Sequence, residues 1–151
     1  MSKPTIVHDT FVIERVFAAT PQRVFAAYAD VNVRTRWGVP SDDERIEYLE
    51  SNFQVGGCDV YRCGPKAELK YLGHARYEHI VVDQRIIYVE RVSLGDSQLC
   101  VSLVSWELIP KQQGTLLVLT DQIASLVGRD MIDGAKHGTT AALDNLARSL
   151  S

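Results

Sequence analysis

The sequence predicts an α+β fold in which an antiparallel sheet grips one long C-terminal helix. Residues 134–150 form the helical stretch, because Leu143, Leu146 and Leu150 recur there at steps of three and four and fall in one stripe. Most of residues 44–121 instead has the β-branched and aromatic content of strands separated by short turns. Burying each Leu is worth roughly 1.5–3 kcal/mol, so the helix needs a curved cover, and the sheet is the element that can supply it.

The predicted order of elements is β-α-α-β6-α. A strand at 11–17 precedes Thr20 and Pro21, an N-cap hydroxyl and a Pro at the first helical position, so a helix is predicted to run to about Ala29. Asp30 then caps a second, short helix. Six further strands are predicted at 46–55, 58–63, 69–82, 84–93, 99–109 and 115–120, and residues 121–134 are predicted to form a mixed loop.

Composition limits the class of protein. The chain has 151 residues, of which 46% are hydrophobic and 23% charged, and this fits one soluble domain over residues 1–151. The net charge of −3 argues against a nucleic-acid partner, because no cluster of Lys and Arg could neutralise a run of phosphates. No apolar run of about 18 residues is present and residues 1–17 lack the apolar centre of a signal peptide. We therefore expect no membrane partner and a cytoplasmic location.

The cysteines predict free thiols. Cys58 and Cys63 are five positions apart on one predicted strand, so they face opposite sides and cannot be bridged, and Cys100 belongs to another strand. No His or Cys stands at zinc-type spacing beside them, and the chain has no phosphate loop, dinucleotide fingerprint or Ser-His-Asp order. We expect neither a metal nor a cofactor.

The motifs taken together resemble a known superfamily. ERVFAATPQRVFAAYAD followed by RTRW, then FQVGG, ARYEHIVVDQRIIYVE, VSWELIP, GTLLVLTDQ and HGTTAALDNLA are similar to the helix-grip superfamily (SRPBCC, START or Bet v I-like). Within it the chain resembles, over about residues 11–150, the family named after the activator of the ninety-kilodalton heat-shock protein's ATPase. The resemblance implies a strongly curved antiparallel sheet around the C-terminal helix, with a cavity between them.

The resemblance leaves the activity open. Members of the family include ligand carriers, cochaperone domains and cyclase-like or hydrolase-like proteins. The eukaryotic cochaperones have an additional N-terminal domain that these 151 residues do not contain, which weakens the expectation of a chaperone role. The family often has Gly-Trp near the start of the last helix, whereas this chain has Gly138-Thr139. The difference implies either more room in the cavity or another side chain that fills the place of the indole.

Strand alternation selects the candidate cavity residues. Trp106 is the strongest, because its neighbours Ser105 and Glu107 favour water; the alternative is an ordinary core aromatic. Asp59, Tyr61 and Cys63 share one face, which the resemblance turns inward. A buried carboxylate needs a partner, and the candidates on the neighbouring strand are Arg76, His74 and His79. The alternative is that Asp59 lies in water at the edge of the sheet.

We interpret the chain as a small-molecule carrier with a largely apolar cavity that takes a hydrophobic or amphipathic ligand. The residues expected to line it are Trp37, Asp59, Tyr61, Cys63, Arg76, Tyr77, Tyr88, Trp106, Met131 and Leu143. A second hypothesis is a cyclase-like or hydrolase-like enzyme that uses Asp59 or His79 as acid or base, and a Cys63–His79 nucleophile pair is a weaker variant of it. A third is a chaperone-interacting module, and a homodimer stays open.

Overall fold

The computed structural model describes residues 4–151, and over this range seven strands and three helices pack around one another. In chain order the elements are β1 (Val7–Phe17), α1 (Pro21–Ala29), α2 (Val31–Trp37), β2 (Glu44–Ser51), β3 (Cys58–Pro65), β4 (Tyr71–Val81), β5 (Arg85–Leu94), β6 (Ser97–Lys111), β7 (Gly114–Ser125) and α3 (Arg129–Leu150). The helix-grip architecture predicted from the sequence is confirmed.

The strands form one antiparallel sheet in the order β1-β7-β6-β5-β4-β3-β2. After β1 the chain crosses through α1 and α2 to the far edge of the sheet and returns as a meander from β2 to β7. The last meander strand pairs with β1 along its whole length, from Val7 opposite Ser125 to Phe17 opposite Thr115.

The core lies between the concave face of the sheet and the helices. Leu143, Leu146 and Leu150 of α3 are buried there with Phe17, Val24 and other apolar side chains of β1, α1, β6 and β7. The predicted leucine stripe is therefore the gripped face of the helix. On its two flanks, Asp144 forms an ion pair with Arg15 of β1, and the Asn145 amide donates to the Val39 carbonyl oxygen after α2 at 2.7 Å.

The predicted loop at 121–134 is wrong. Strand β7 continues to Ser125, and α3 begins at Arg129, one turn and a half before the predicted helix. Asp121 interrupts the apolar pattern but keeps its inward position in the alternation of β7, and a Gly inside a helix, such as Gly134, is tolerated at a cost of about 1 kcal/mol. Strand β1 likewise begins earlier than predicted, because Val7 pairs with Ser125 at the extended end of β7.

The end of the predicted second strand is also corrected. Strand β2 stops at Ser51, and the segment up to Gly57 is a loop that docks on β4: the Gly56 N–H donates to the Tyr77 carbonyl oxygen at 2.8 Å, and the Tyr77 N–H donates to the Gly57 carbonyl oxygen at 3.0 Å. A Cβ on Gly57 would lie 2.2 Å from the Asn52 carbonyl oxygen, so only glycine fits there. This loop fixes the start of β3, where Asp59 lies.

None of the helices within residues 4–151 is long and apolar enough to cross a membrane. The expectation about a signal peptide also rests on residues 1–3, which lie outside the described residues.

Cys58, Cys63 and Cys100 are all unpaired in the structure. We expect thiol titration of the denatured protein, purified without reductant, to return three free thiols. A result of one thiol would indicate a disulfide and would contradict the register of β3, in which Cys58 and Cys63 lie at opposite ends of the strand.

Candidate functional site

Helix α3 covers only part of the concave face. It packs against β1, β7, α1 and α2, and inward-facing side chains of β3 and β5, among them Tyr61, Tyr88 and Glu90, stay partly exposed. On the flank of α3 that carries Asn145, a Cβ at Gly138 would meet no heavy atom within 4 Å. The inner face of β3–β5 beside this flank is therefore only partly covered, and we define this partly covered region as the concave cleft.

A buried ion pair closes one end of this face. The Arg34 Nη1 donates to the Asp59 Oδ2 at 2.9 Å, and the two side chains are only 5% and 3% exposed. Asp59 also accepts from the Ser51 hydroxyl at 2.8 Å and from the Tyr77 hydroxyl at 2.5 Å. With an ion pair and two further donors, the Asp59 carboxylate is occupied by the protein itself.

The Arg34 guanidinium lies between two aromatic rings. Its Cζ is 4.5 Å from the centre of the Tyr28 ring and 4.8 Å from that of Tyr48, and cation–π contacts of this kind are worth up to about 2 kcal/mol when desolvated. Nη1 also donates to the Tyr77 hydroxyl at 2.8 Å, and the Tyr28 and Tyr77 hydroxyls are 3.0 Å apart. Since the Tyr77 proton is directed to Asp59, Tyr28 is the donor in that pair. Burial raises the pKa of both phenols.

Local sequence places Arg34 at this position. The Asp30 side chain accepts from the N–H groups of Asn32 and Val33 and so caps α2. Arg34 follows one turn later and is buried against the sheet, while Arg36, two positions further on, is exposed. Helix α2 thus places the Arg34 guanidinium next to the Asp59 carboxylate on β3.

Aromatic side chains continue from this network along the sheet. The Tyr28 ring is the centre of the group: its centroid is 4.9 Å from Trp106, 6.2 Å from Tyr88 and 6.4 Å from Trp37. The Trp37 indole N–H donates to the Ala27 carbonyl oxygen at 3.0 Å. Trp106 is 3% exposed, yet its indole N–H has no hydrogen-bond partner.

Tyr61 and Glu90 form the polar floor of the concave cleft. The Tyr61 ring lies flat across β4 at Gly73, where a Cβ would come within 1.9 Å of the ring, and its hydroxyl donates to the Glu90 Oε2 on β5 at 2.7 Å. Burial raises the pKa of Glu90 to about 7, and the Tyr61 hydrogen bond only partly opposes this shift. The absence of a side chain at Gly73 is what allows the contact between β3 and β5.

A second carboxyl lies two strands away. Asp121 on β7 is 7% exposed and its Oδ1 has no hydrogen-bond partner. Burial raises the pKa of Asp121 to about 6, and the Ser102 hydroxyl on β6 acts in the opposite direction. The Cα of Ser102 is in turn paired with that of Glu90, so Ser102 stands between the two acids.

Most of the residues predicted from the sequence do come together. Trp37, Asp59, Tyr77, Tyr88 and Trp106 belong to the aromatic and ion-pair network, and Tyr61 and Cys63 follow Asp59 on the same face of β3. On α3, Leu143 is packed into the core, while Met131 is partly buried against the smaller group around Phe11 and Ile132.

Arg76 is a correction. It lies on the convex face, 58% exposed, and pairs with Glu78 at 3.5 Å, because it alternates with the inward Tyr77 on β4. His74 faces the same outer side, and the His79 Nε2 accepts from the exposed Arg85. None of the three partners predicted for Asp59 reaches it; Arg34, on a helix, takes that role.

The Cys63–His79 pair is wrong as well. Cys63 pairs with Tyr71, eight residues from His79 along β4, which corresponds to about 26 Å. Burial raises the pKa of the Cys63 thiol to about 11, so it is not a thiolate at neutral pH. Within residues 4–151 no group of three or more His, Cys, Asp and Glu side chains is placed to hold a metal ion.

The convex face carries a different feature, an open depression of about 470 Å³ lined by outward side chains such as Val89, Val101 and Leu103. Its lining is mixed, since His8, Asp9, Thr10 and Gln122 border the apolar side chains, and the buried Asp59 and Asp121 face the other side of the sheet.

Comparison with known proteins places the chain in a family. Residues 18–151 match the family described as Activator of Hsp90 ATPase homolog 1-like protein. The chain belongs to this family. It is part of the SRPBCC superfamily, as the sequence motifs predicted. None of the curated proteins compared with the chain matches it.

Solved structures of similar chains support the same fold for this Activator of Hsp90 ATPase homolog 1-like domain. A protein from Rhizobium loti is 36% identical over 97% of this chain and 100% of its own, with a TM-score of 0.85. A protein from Rhizobium leguminosarum is 29% identical over 96% and 95%, also with a TM-score of 0.85. A more distant protein from Chromobacterium violaceum, 24% identical over 93% and 96% with a TM-score of 0.82, shares the fold.

Proposed function

We propose that this protein binds an amphipathic small molecule in the concave cleft. The observation that carries the proposal is the uncovered inner face of β3–β5, where Tyr61, Tyr88 and Glu90 stay partly exposed beside α3. Rings at such a site offer apolar area, and each 100 Å² that a ligand removes from water is worth about 2.5 kcal/mol before the costs of association. Thr139, where the family often has Trp, leaves this flank of α3 without an indole.

The groups that orient the ligand differ from those expected from the sequence. Asp59 already has an ion pair and two further donors, so it has no free function to offer. The Glu90 carboxyl remains, together with the buried atoms that have no hydrogen-bond partner: the Asp121 Oδ1, the Trp106 indole nitrogen, and Nε and Nη2 of Arg34, whose Nη1 is bound to Asp59. These groups would set the orientation of a ligand more than its affinity, since an ordinary hydrogen bond nets about 0.5–1.5 kcal/mol.

The test is titration with a panel of aromatic and acyl compounds, followed by tryptophan fluorescence. We expect a saturable emission change in the wild type and in Trp37→Phe, because Trp106 adjoins the cleft, and loss of the change in Trp106→Phe. Affinity should increase with the apolar area of the compound and then fall once the cleft is full. If no compound changes the emission of either Trp106-containing protein, the carrier function is refuted.

An acid–base enzyme is the second candidate, and the pKa of Glu90 near 7 is the observation that favours it. Glu90, rather than Asp59 or His79, would be the acid or base. The measurement is mass spectrometry of a bound compound after incubation: turnover that Glu90→Gln abolishes while binding persists would support the enzyme.

A chaperone-interacting module is the third candidate and rests on the family to which the chain belongs. Co-purification of a heat-shock protein with the wild type, unaffected by substitutions in the concave cleft, would favour it over the carrier.

A further inference from the structure

Two carboxyls on the concave face have no ion-pair partner among the described residues. Glu90 on β5 and Asp121 on β7 flank Ser102 on the concave face, and neither forms an ion pair with any residue in the described part of the chain. Asp121 is 7% exposed and holds one carboxylate oxygen with no donor. Buried acceptors are almost always paired in folded proteins, so this oxygen lacks a partner that a bound molecule would supply.

A second unpartnered group points to the same place. The indole N–H of Trp106, 3% exposed, makes no hydrogen bond. The indole lies close enough to the Tyr88 hydroxyl to lower the pKa of that phenol, against the larger effect of burial, but outside hydrogen-bond geometry. Tyr88 precedes Glu90 by two positions on the same face of β5. The Trp106 N–H and the Asp121 Oδ1 therefore both lie near Tyr88 on the inner face: Trp106 acts on its hydroxyl, and Tyr88, Val104 and Asp121 form one row across β5, β6 and β7.

We propose that the ligand of the concave cleft is an amphipathic amine whose ammonium group lies between Glu90 and Asp121 and whose apolar part lies against Tyr88 and Trp106. This inference rests on the proposed carrier function and names its ligand class. An ammonium supplies N–H donors to both carboxyls and the missing positive charge, and neighbouring aromatic rings add cation–π attraction. An acceptor atom elsewhere on the ligand would take the Trp106 N–H.

The surroundings of Glu90 favour a cation over an anion. Arg34 on α2 is the nearby positive charge, and Asp59 on β3 neutralises it. Asp121 adds negative charge from β7, whereas Tyr61 from β3 contributes a neutral hydrogen bond. The partly buried residues on the cleft-side flank of α3 are uncharged: Met131, Ala135, Gly138, Thr139 and Ala142. An anionic ligand would meet the Glu90 and Asp121 carboxyls here, and the nearby cation, Arg34, is already paired with Asp59.

The same geometry fixes the pH dependence. Burial raises the pKa of Glu90 to about 7 and that of Asp121 to about 6, while the neighbouring phenols and the thiols of Cys63 and Cys100 have raised pKa values and stay neutral below pH 8. An ammonium favours the ionised carboxyls, so binding releases protons. The affinity of the protein for the amine should rise about tenfold from pH 6 to pH 8, since the ionised fraction of a carboxyl with a pKa of about 7 rises by that factor.

The experiment uses calorimetric titration of the intact protein with three matched compounds: 4-phenylbutylamine, 4-phenylbutanol and 4-phenylbutyrate. At pH 8, where both carboxyls are ionised, we expect the amine to bind at least tenfold more tightly than the alcohol. At pH 6, where Glu90 is mostly protonated, binding of the amine should release protons, seen as a dependence on buffer ionisation enthalpy. Glu90→Gln and, independently, Asp121→Asn should reduce this preference at least threefold each. Glu107→Gln, which removes an exposed carboxyl on the outer face of β6, should leave it unchanged.

The outcomes separate the two proposals. Equal binding of amine and alcohol, or a preference for the carboxylate, would overturn the ammonium site and leave the carrier function standing. Preference for the amine that survives both carboxyl substitutions would place the cation elsewhere and also overturn the inference. Binding of none of the three, nor of their homologues with longer chains, would overturn the carrier function and the inference together.

Discussion

Replacing Leu146 by Asp is expected to abolish cooperative folding. The Leu146 side chain is fully buried, in contact with the core group that α3 shares with the sheet. A carboxylate there has no partner, and the cost of burying an unpaired charge, several kcal/mol, is added to the loss of the apolar side chain. Together these approach the whole stability of a typical domain, about 5–15 kcal/mol. Circular dichroism during heating should show no cooperative transition.

The matched control places the same carboxylate on the same helix in water. His137 is exposed on α3, so His137→Asp should melt within a few degrees of the wild type. A cooperative Leu146→Asp variant with near-native melting would show that the helix is not gripped by the sheet.

The second large effect is expected at the buried ion pair. Arg34→Ala leaves the Asp59 carboxylate, 2% exposed, without its cation and removes the guanidinium from between Tyr28 and Tyr48. Breaking one partner of a buried pair typically costs about 3–5 kcal/mol. Urea denaturation should therefore show a loss of this size in the free energy of unfolding.

Arg76→Ala is the control for this prediction, because it removes an exposed Arg whose pair with Glu78 lies on the convex surface. Exposed pairs of this kind contribute about 0–1 kcal/mol. The double variant Arg34→Met, Asp59→Leu should recover part of the loss, since it removes both charges. Equal losses for Arg34→Ala and Arg76→Ala would contradict the assignment of Arg34 as the partner of Asp59.

The periodic features of the sequence were sufficient for the fold. The leucines of α3, the Thr20-Pro21 helix start and the regularly spaced strands each depend on local chemistry that a single sequence displays. The predicted loop at 121–134 failed where periodicity ended, because Asp121 interrupts the apolar pattern and Gly134 resembles a helix breaker. Asp121 is polar, but it belongs to β7 because it occupies a buried position in the alternation of that strand.

The site was harder to predict because it is assembled across elements. Inward Asp59, Tyr61 and Trp106 follow from alternation, but alternation on β4 cannot identify a cation that arrives from α2, 25 positions earlier in the chain. Arg34 carried one signal: it lies four residues after the Asp30 cap, on the inner side of a short amphipathic turn. The sequence also contained a signal for Glu90. Gly73 is a glycine inside a strand, which often marks the close approach of another group, and here the Tyr61 side chain crosses Gly73 to reach Glu90.

The pairing of β1 with β7 has a consequence for how the protein is made. β1 leaves the ribosome before its hydrogen-bonding partner β7, which ends at Ser125. The strand therefore remains unpaired while the residues between them are synthesised. Val12 and Val16, about half exposed even in the finished fold, are then part of an apolar edge open to other chains. Contacts that span so much sequence form slowly, on the scale of about milliseconds to seconds. A truncation that reaches β7 would therefore leave the first strand without its hydrogen-bonding partner, in addition to removing the last helix.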